Sequence, residues 1–353
     1  MEIYVLDREL HILGVFETYD AIIWTTKLHE PGTFKASFVF SEKMNKILQR
    51  GNLLYKTDEC EAGIITRKYL SIKKTGEETI LIQGYLATRY LHQRIIWDTM
   101  VLKGSPEDIM RKMVYEQVIA PSNAFRIIPN IELGNYHGYE GSIEKQITYD
   151  NLQTALTDVS QTSELGYRLR LDIAERKFFF EVYKGVDRTY TSAIPCVFTR
   201  DYGNVYTQEY SEDDTNYCNV CLVAGSGEDT ERIKTVVGDD NSGVDRYEMY
   251  YNASGLSNKD VTEAEYIAQL KQKGNEKLSA FYIAKAFESK INQNKKLTYA
   301  LGDYVTCTDK RWGVTVDTQI KGIEKSYSKN EQSVVVTFGD SIPSIVQIIK
   351  AKE

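Results

Sequence analysis

Apolar side chains occupy every second position in several segments of this chain of 353 residues. The clearest segment is 33–40, where Phe34, Ala36, Phe38 and Phe40 alternate with Thr33, Lys35, Ser37 and Val39. A period of two places one set of side chains on one face of a β-strand and predicts a half-buried sheet. Segments of similar composition precede residue 100 and follow residue 190. The pattern therefore predicts two β regions, at about 1–100 and 190–345.

Between these regions the period changes to that of helices. The segment Ser105-Pro106-Glu107-Asp108 is typical of a helix start, with a capping Ser, a first-turn Pro and two acids near the positive end of the helix dipole. A second helix is predicted from about Asp150, because Leu152, Ala155, Leu156 and Val159 are spaced i, i+3, i+4 and i+7. Alternation in 167–173 and 178–183 then predicts a hairpin. Residues 101 to about 185 are thus expected to form a small α+β unit.

The longest predicted helix runs from about Thr262 to Ile291. Its apolar positions are Ile267, Leu270, Leu278, Phe281, Ala284, Phe287 and Ile291, with Gly274 on the same stripe. A helix of that length would span roughly 45 Å at 1.5 Å per residue.

Charge and composition exclude several classes of protein. The chain has 43 Lys and Arg against 50 Asp and Glu, a net charge of −7, which disfavours a nucleic-acid reader with a concentrated basic face. No apolar run approaches the roughly 20 residues of a membrane-spanning helix. The N-terminal residues 1–13 contain acids and lack the basic stretch of a secretory signal, which predicts assembly in a cytoplasm. Five scattered cysteines do not form a disulfide framework.

No motif in the sequence predicts catalysis or metal binding. Cys218-x-x-Cys221 lacks the second ligand pair that zinc needs, and the strand-like pattern there points the two side chains to opposite faces. The four histidines, His11, His29, His92 and His137, do not cluster. The acidic segment 239–245 lacks the glycine and closing Glu of a calcium loop, so a plain turn is favoured. We therefore predict no catalytic residue, no cofactor-binding residue, no metal ligand and no cofactor.

The 25 tyrosines allow two interpretations. Two groups could line a sugar-binding face, one of Tyr202, Tyr206, Tyr210 and Tyr217, the other of Tyr247, Tyr250 and Tyr251. The alternative, which we favour, is strand packing and protein–protein contact, where Tyr contributes a large contact area at a small entropic cost.

The order of several short motifs resembles that of the baseplate or tail-tip hub proteins of tailed phages, in particular the prophage-type hub that is also the N-terminal module of tail-associated lysins. The motifs are Pro31-Gly32-Thr33-Phe34, Arg50-Gly51-Asn52-Leu53, Gly63-Ile64-Ile65, Gly84-Tyr85-Leu86 and Leu91-His92-Gln93-Arg94. Asn52 stands where the family more often has an acid. Near the end, Leu301-Gly302-Asp303-Tyr304-Val305 and the segment 334–339 resemble the opening and closing strands of the last domain of such hubs.

The resemblance implies a β-rich α+β fold with two tube-like β-barrel domains, an inserted small α+β domain and a long-helix excursion. The implied boundaries are 1–100 for the first tube-like domain, 101–188 for the α+β domain, 189–245 with 297–345 for the second tube-like domain, and 246–296 for the helical excursion.

The resemblance also implies a function, a structural hub with no enzymatic activity. Three copies would form a ring that joins the tail tube to the tip or spike, in a virion tail or a tail-like particle assembled in the bacterial cytoplasm. Expected partners are the chain itself, the distal tail or tail tube protein, the tape-measure protein and the tip or spike protein. DNA could pass through the lumen, which the acidic chain would line. Two alternatives remain open, a tail-associated cell-wall hydrolase with its site in 101–185 and a carbohydrate-binding tail module.

Overall fold

A computed structural model describes residues 2–228, 231–238, 242–259, 261–279, 281, 284–295, 297–328 and 331–339. The chain divides into two compact units. The first unit comprises Met1–Glu209 and Glu288–Phe338, and the second unit comprises Tyr210–Phe287 and Gly339–Glu353. The four-part division expected from the sequence stays a prediction.

Residues 2–99 form seven strands and one short α-helix, followed by a 3₁₀-helix at Ala87–Gln93. In chain order they are β1 (Ile3–Leu6), β2 (Ile12–Phe16), β3 (Ala21–Lys27), β4 (Thr33–Val39), α1 (Glu42–Ile47), β5 (Leu53–Lys56), β6 (Gly63–Ile72) and β7 (Glu78–Leu86). The alternating segment 33–40 is β4, and its residues Phe34, Ala36 and Phe38 are buried. The period of two in the sequence thus has the predicted outcome, a strand with one buried face.

The middle of the chain combines helices with strands, as the sequence pattern predicted. It contains β8 (Met100–Gly104), α2 (Pro106–Val114), β9 (Ile131–Leu133), β10 (Ile143–Ile147), α3 (Leu152–Ser163), β11 (Gly166–Asp172) and β12 (Lys177–Tyr183). The Ser105 hydroxyl accepts a hydrogen bond from the Asp108 N–H, which confirms the predicted cap of α2. The predicted hairpin is confirmed as the antiparallel pair β11 and β12, in which Leu169 lies opposite Phe180.

The remaining elements complete the large sheet and build the second unit. They are β13 (Asp187–Arg188), β14 (Val197–Phe198), β15 (Val205–Asp213), β16 (Val220–Ala224), β17 (Lys234–Gly238), β18 (Glu248–Asn252), α4 (Glu263–Leu278), β19 (Ala284–Ile291), β20 (Tyr304–Asp309), β21 (Val314–Ser328) and β22 (Gln332–Gly339).

The two β regions of the first unit share one sheet. Its strands follow the order β15-β19-β22-β21-β3-β4-β7-β6-β5-β1-β2, with β13, β14 and β20 joined to β21 through β20. The two regions meet where β3 pairs antiparallel with β21. Trp24 of β3 lies opposite Lys325 of β21 on one side and opposite Phe34 of β4 on the other. The β-rich α+β class is confirmed. Within the described residues the strand path stays open and closes no barrel, so the two tube-like barrels stay a prediction.

Two glycines let the ring of Phe34 lie across the sheet. A Cβ at Gly63 would approach the Phe34 ring to 2.4 Å, and a Cβ at Gly84 would approach the Ile64 carbonyl oxygen to 1.8 Å. Both contacts are far inside van der Waals distance, so only glycine fits. Three of the short motifs in the sequence therefore meet at one packing point in the core.

The second unit is a three-stranded sheet, in the order β17-β16-β18, with α4 packed on it. Its core includes Cys221, Val223, Val237, Tyr266 and Leu270. Thr262 and Glu265 form a capping box that begins α4.

The predicted helix Thr262–Ile291 is wrong beyond Leu278, where α4 ends. Residues Ala284–Ile291 form β19 instead, so the helix fills only part of the expected excursion 246–296. Phe287, Ser289 and Ile291 are buried, which is a period of two. A spacing of four residues, as between Phe287 and Ile291, fits both a strand and a helix. Ser289 is polar, so the sequence did not indicate that this position is buried.

Candidate functional site

A serine of α3 and a histidine of the loop between β3 and β4 lie in contact in the core, but their geometry does not suit catalysis. His29 Nδ1 lies 2.7 Å from Ser160 Oγ, and both side chains are buried. The Ser160 hydroxyl donates to the Leu165 carbonyl oxygen at 2.5 Å. A nucleophile needs access to substrate and a base that takes its proton. Here the hydroxyl proton is held by a carbonyl in the core, and the pair ties α3 to the loop between β3 and β4.

The cysteine pair and the acidic loop add no metal centre in the described parts of the chain. Cys221 is buried in the core of the second unit, whereas Cys218 is partly exposed. No group of three or more His, Cys, Asp or Glu residues among the described positions is arranged to hold a metal ion. Of the calcium-like segment 239–245, positions 239–241 lie outside the described residues.

Tyrosines of both predicted groups line one cleft in the second unit. The cleft has a volume of about 510 Å³, and Tyr217, Tyr250 and Tyr251 line it together with Asn216 and Lys277. The Tyr250 hydroxyl accepts a hydrogen bond from Arg232 at 3.0 Å. The other tyrosines of the first group do not join them: Tyr202 and Tyr206 belong to the first unit, and Tyr210 packs on Phe287. The sequence could not reveal this grouping, because it depends on the pairing of β16 with β18.

The large sheet ends at an apolar edge strand. β2 pairs with β1 on one side and is the last strand of the path on the other. Its residues Ile12, Leu13 and Val15 are exposed at 50%, 38% and 44%. An exposed apolar edge is a template for pairing with another chain, which natural proteins normally block with charge or proline. β2 is therefore the candidate site for contact between copies. The sequence predicted a strand here but gave no sign of its edge position.

One groove on the sheet is polar and carries few charges. It has a volume of about 520 Å³ and runs over β3, β4, β6 and β7, and its charged side chains are Lys35, Arg67 and Glu324 among threonines, Gln83 and Tyr85. The acidic residues of the chain are thus not concentrated in this groove. An acidic lumen lining stays a prediction from net charge alone.

A buried ionic network joins β5 to β21. Lys56 is 1% exposed, and its ammonium group lies 2.6 Å from Asp58 and 3.6 Å from Glu59. Glu59 also pairs with Lys325 at 2.8 Å. Burial, with the nearby carboxylates of Asp58 and Glu59, raises the pKa of the Tyr327 hydroxyl well above its usual value. The network adds a charged connection between β5 and β21 to the backbone pairing of β3 with β21.

Glu61 links the sheet to the α+β unit. Burial raises the pKa of its carboxyl group to about 7, although hydrogen bonds from the Thr88 hydroxyl and N–H act in the opposite direction. The Thr88 oxygen in turn accepts the Leu169 N–H at 3.0 Å.

Asp303 lies directly before β20 and connects this strand to the neighbouring strand β13. Its buried carboxylate accepts hydrogen bonds from the N–H groups of Val186 and Ala300 and from the Arg188 guanidinium, each at 2.8–2.9 Å. These three donors explain the acid at this position of the motif. The carbonyl oxygen of the preceding Gly302 lies against Gly185.

None of the helices in the described part of the chain is long and apolar enough to cross a membrane. A search of curated proteins finds no match. A family model described as Siphovirus ReqiPepy6 Gp37-like protein matches residues 2–340.

Three solved structures share the fold. A tail protein from Neisseria meningitidis MC58 is 13% identical with a TM-score of 0.60, and the match covers 96% of each chain. The 43 kDa tail protein of prophage MuSo2 from Shewanella oneidensis is 14% identical with a TM-score of 0.58, covering 96% of this chain and 98% of that one. Prophage tail protein gp18 from Listeria monocytogenes EGD-e is 11% identical with a TM-score of 0.56, covering 99% of each.

Proposed function

Since the chain belongs to the Siphovirus ReqiPepy6 Gp37-like protein family, we propose that it is a structural hub of a phage tail tip or baseplate, or of a phage-tail-like particle. Three copies form a ring that joins the tail tube to the tip or spike. The ring contacts the distal tail or tail tube protein, the tape-measure protein and the tip or spike protein. It is assembled in the bacterial cytoplasm and works in the finished tail without catalysing a reaction.

The open apolar edge of β2 is the observation that carries this proposal. A sheet that ends in exposed Ile12, Leu13 and Val15 is incomplete as a monomer, because among the described residues no strand pairs with the outer edge of β2. A closed ring of identical copies pairs every such edge and leaves none open. The two tube-like domains expected in each copy would then give the three-copy ring a pseudo-sixfold outline.

Light scattering on the purified chain tests the proposal. A ring of three has a mass of about 121 kDa, three times 40.4 kDa. We expect Ile12→Lys with Val15→Lys to reduce this species to monomer without lowering the melting temperature of the monomer. Val244→Lys, which alters an exposed valine of the second unit, is the matched control. A chain that stays monomeric at every concentration and also fails to join purified tail tubes would refute the hub.

A second candidate function is saccharide binding by the cleft of the second unit. Aromatic faces of Tyr217 and Tyr251 beside the amide of Asn216 and the ammonium group of Lys277 are a combination suited to sugar rings and hydroxyls. Tyr251→Ala and Asn216→Ala should then abolish retention on bacterial cell-wall polysaccharide, while Tyr190→Ala, a change in the first unit, retains it. Equal retention of all three variants would exclude this function. The hydrolase alternative gains no support from the buried Ser160 and His29.

A further inference from the structure

An aromatic surface lies on the α+β unit where three segments run side by side. The Ile96 N–H donates to the Asp150 carbonyl at 2.9 Å, and the Arg94 guanidinium donates to the Arg126 carbonyl at 2.6 Å. These bonds bring segments 94–99, 124–127 and 148–151 together. We define the aromatic surface as the exposed apolar residues of these segments, namely Ile95, Trp97, Phe125, Ile127 and Tyr149.

The exposure of these side chains is unusual for a monomer. Phe125 is 99% exposed, Tyr149 is 78% exposed and Trp97 is 49% exposed. Single exposed apolar residues are common on protein surfaces, but a contiguous group that includes three aromatic rings marks an interaction site.

The backbone holds Tyr149 in place at an energetic cost. Its φ of +56° lies in the left-handed region, which costs a non-glycine residue about 1–2 kcal/mol. The bridge between Ile95 and Asn151 and the pairing of Met100 with Ile147 flank the two segments that carry Trp97 and Tyr149, so these segments run side by side. The indole of Trp97 in turn lies over the guanidinium of Arg126, at 4.2 Å from its ring centre. Both rings are therefore positioned by the fold rather than left free at the surface.

Two arginines beside the rings are not matched by a carboxylate. Among the described residues, no Asp or Glu lies within 4 Å of the guanidinium of Arg94 or Arg126, and their hydrogen bonds go to carbonyl oxygens and to the Gln117 amide. Burial lowers the pKa of Arg94, and so does the charge of Arg126 beside it. Burial also lowers the pKa of Arg126, against the opposing charge of the exposed Asp98, which forms no ion pair with it.

We propose that the aromatic surface binds an acidic, apolar segment of another protein. Trp, Tyr and Arg are the residues most enriched where binding energy concentrates in interfaces. The rings would receive the apolar side chains of the partner. A carboxylate of the partner would pair with Arg94, which is half-exposed and already oriented by two hydrogen bonds to carbonyls. This surface shares no residue with β2, and the proposal does not depend on the ring.

Selection from a displayed library of random peptides against the full-length chain tests the proposal. We expect the selected peptides to be enriched in Asp or Glu next to Leu, Phe or Trp. Binding of the best peptide, synthesised and titrated against the chain, should shift the emission of Trp97 and weaken about tenfold or more in Phe125→Ser, Tyr149→Gly and Arg94→Gln. Tyr190→Ser, which removes an aromatic ring 69% exposed elsewhere in the first unit, is the matched control and should bind normally.

The variants separate binding from folding. Phe125 makes almost no buried contact, and Tyr149→Gly relieves the left-handed strain, so neither should lower the melting temperature. Selected peptides without acidic enrichment, or affinities that the three variants leave unchanged, would overturn the proposal. It would also be overturned if Phe125→Ser removed self-association of the chain, since the occupant would then be a second copy. Binding to vesicles of anionic phospholipid that Phe125→Ser abolishes would likewise overturn it in favour of a membrane surface.

Discussion

The ammonium group of Lys56 lies 4.4 Å from the centre of the Tyr327 ring and 3.2 Å from its hydroxyl oxygen. These residues belong to β5 and β21, so a single buried cation connects the two β regions of the first unit. Desolvation of that cation is offset only while its acidic and aromatic neighbours remain in place.

Lys56→Met should therefore destabilise the first unit by about 3 kcal/mol, because the substitution leaves Asp58 and the buried Glu59 without this partner. Urea unfolding followed by tryptophan fluorescence measures the change. Lys103→Met removes an ion pair of similar length whose side chains are 72% and 62% exposed, and it should cost less than about 0.5 kcal/mol. Equal effects of the two variants would contradict the role of burial.

Glu61 should make stability fall as pH rises through the range 4.5 to 7. Its folded pKa of about 7 exceeds the ordinary value of 4.5, so in this range the folded chain holds a proton that the unfolded chain has released. The loss amounts to about 3 kcal/mol, at 1.36 kcal/mol for each pH unit. Glu61→Gln should remove this slope in thermal unfolding, and an unchanged slope would assign it to another group.

Gly63→Ala and Gly84→Ala should both destabilise the core, by about 3 kcal/mol or more. A second substitution that shortens the Phe34 side chain should restore stability to one variant more than to the other. The atoms nearest to a methyl group at position 63 belong to the Phe34 ring, whereas at position 84 the nearest atom is the Ile64 backbone oxygen.

Phe34→Leu should therefore recover part of the stability of Gly63→Ala but little of that of Gly84→Ala, as measured by chemical denaturation of the double variants. Gly255→Ala, where nothing lies within 4 Å of the new methyl group, should be neutral. Equal rescue of both variants would refute the packing described here.

Glu107→Ala should release the loop that follows β9. The buried carboxylate accepts the backbone N–H groups of His137, Gly138 and Tyr139 at 3.0, 2.8 and 3.3 Å. Loss of this acceptor should cost about 2–4 kcal/mol and speed hydrogen exchange of the three amides. Glu144→Ala, at an exposed pair with Lys103, should leave their exchange unchanged. Protection that survived Glu107→Ala would show that other contacts hold the loop.

Helices and strands could be predicted from the sequence wherever the spacing of the apolar residues fitted the helical period or the strand period but not both. The hairpin of β11 and β12 alternates buried with half-buried side chains over 167–172 and 177–183, and the helices α2 and α3 carry caps as well as apolar faces. The segment 284–291 could not be assigned in this way, because Phe287 and Ile291 suit both periods and the buried Ser289 looks polar.

The candidate sites were much harder to predict than the elements. A strand pattern reveals which face is buried but not which strand lies beside it, so the open edge at β2 and the meeting of Tyr217 with Tyr251 were invisible. Buried Lys56 was equally hidden, since its partner Tyr327 lies far away in the chain. The order of the short motifs indicated the family without indicating why its glycines converge on Phe34.

The pairing of β3 with β21 has a consequence for how the chain is made. Thr25 and Glu324 are hydrogen-bonded partners 299 residues apart. At a ribosomal rate of roughly 5–20 residues per second, β3 emerges about 15 to 60 s before the strand that covers it. During that interval the nascent polypeptide presents an uncovered edge with Ile22 and Trp24, which are buried in the finished protein. Cellular chaperones that shield such edges during translation should thus influence the yield of the folded chain more than those that act after release.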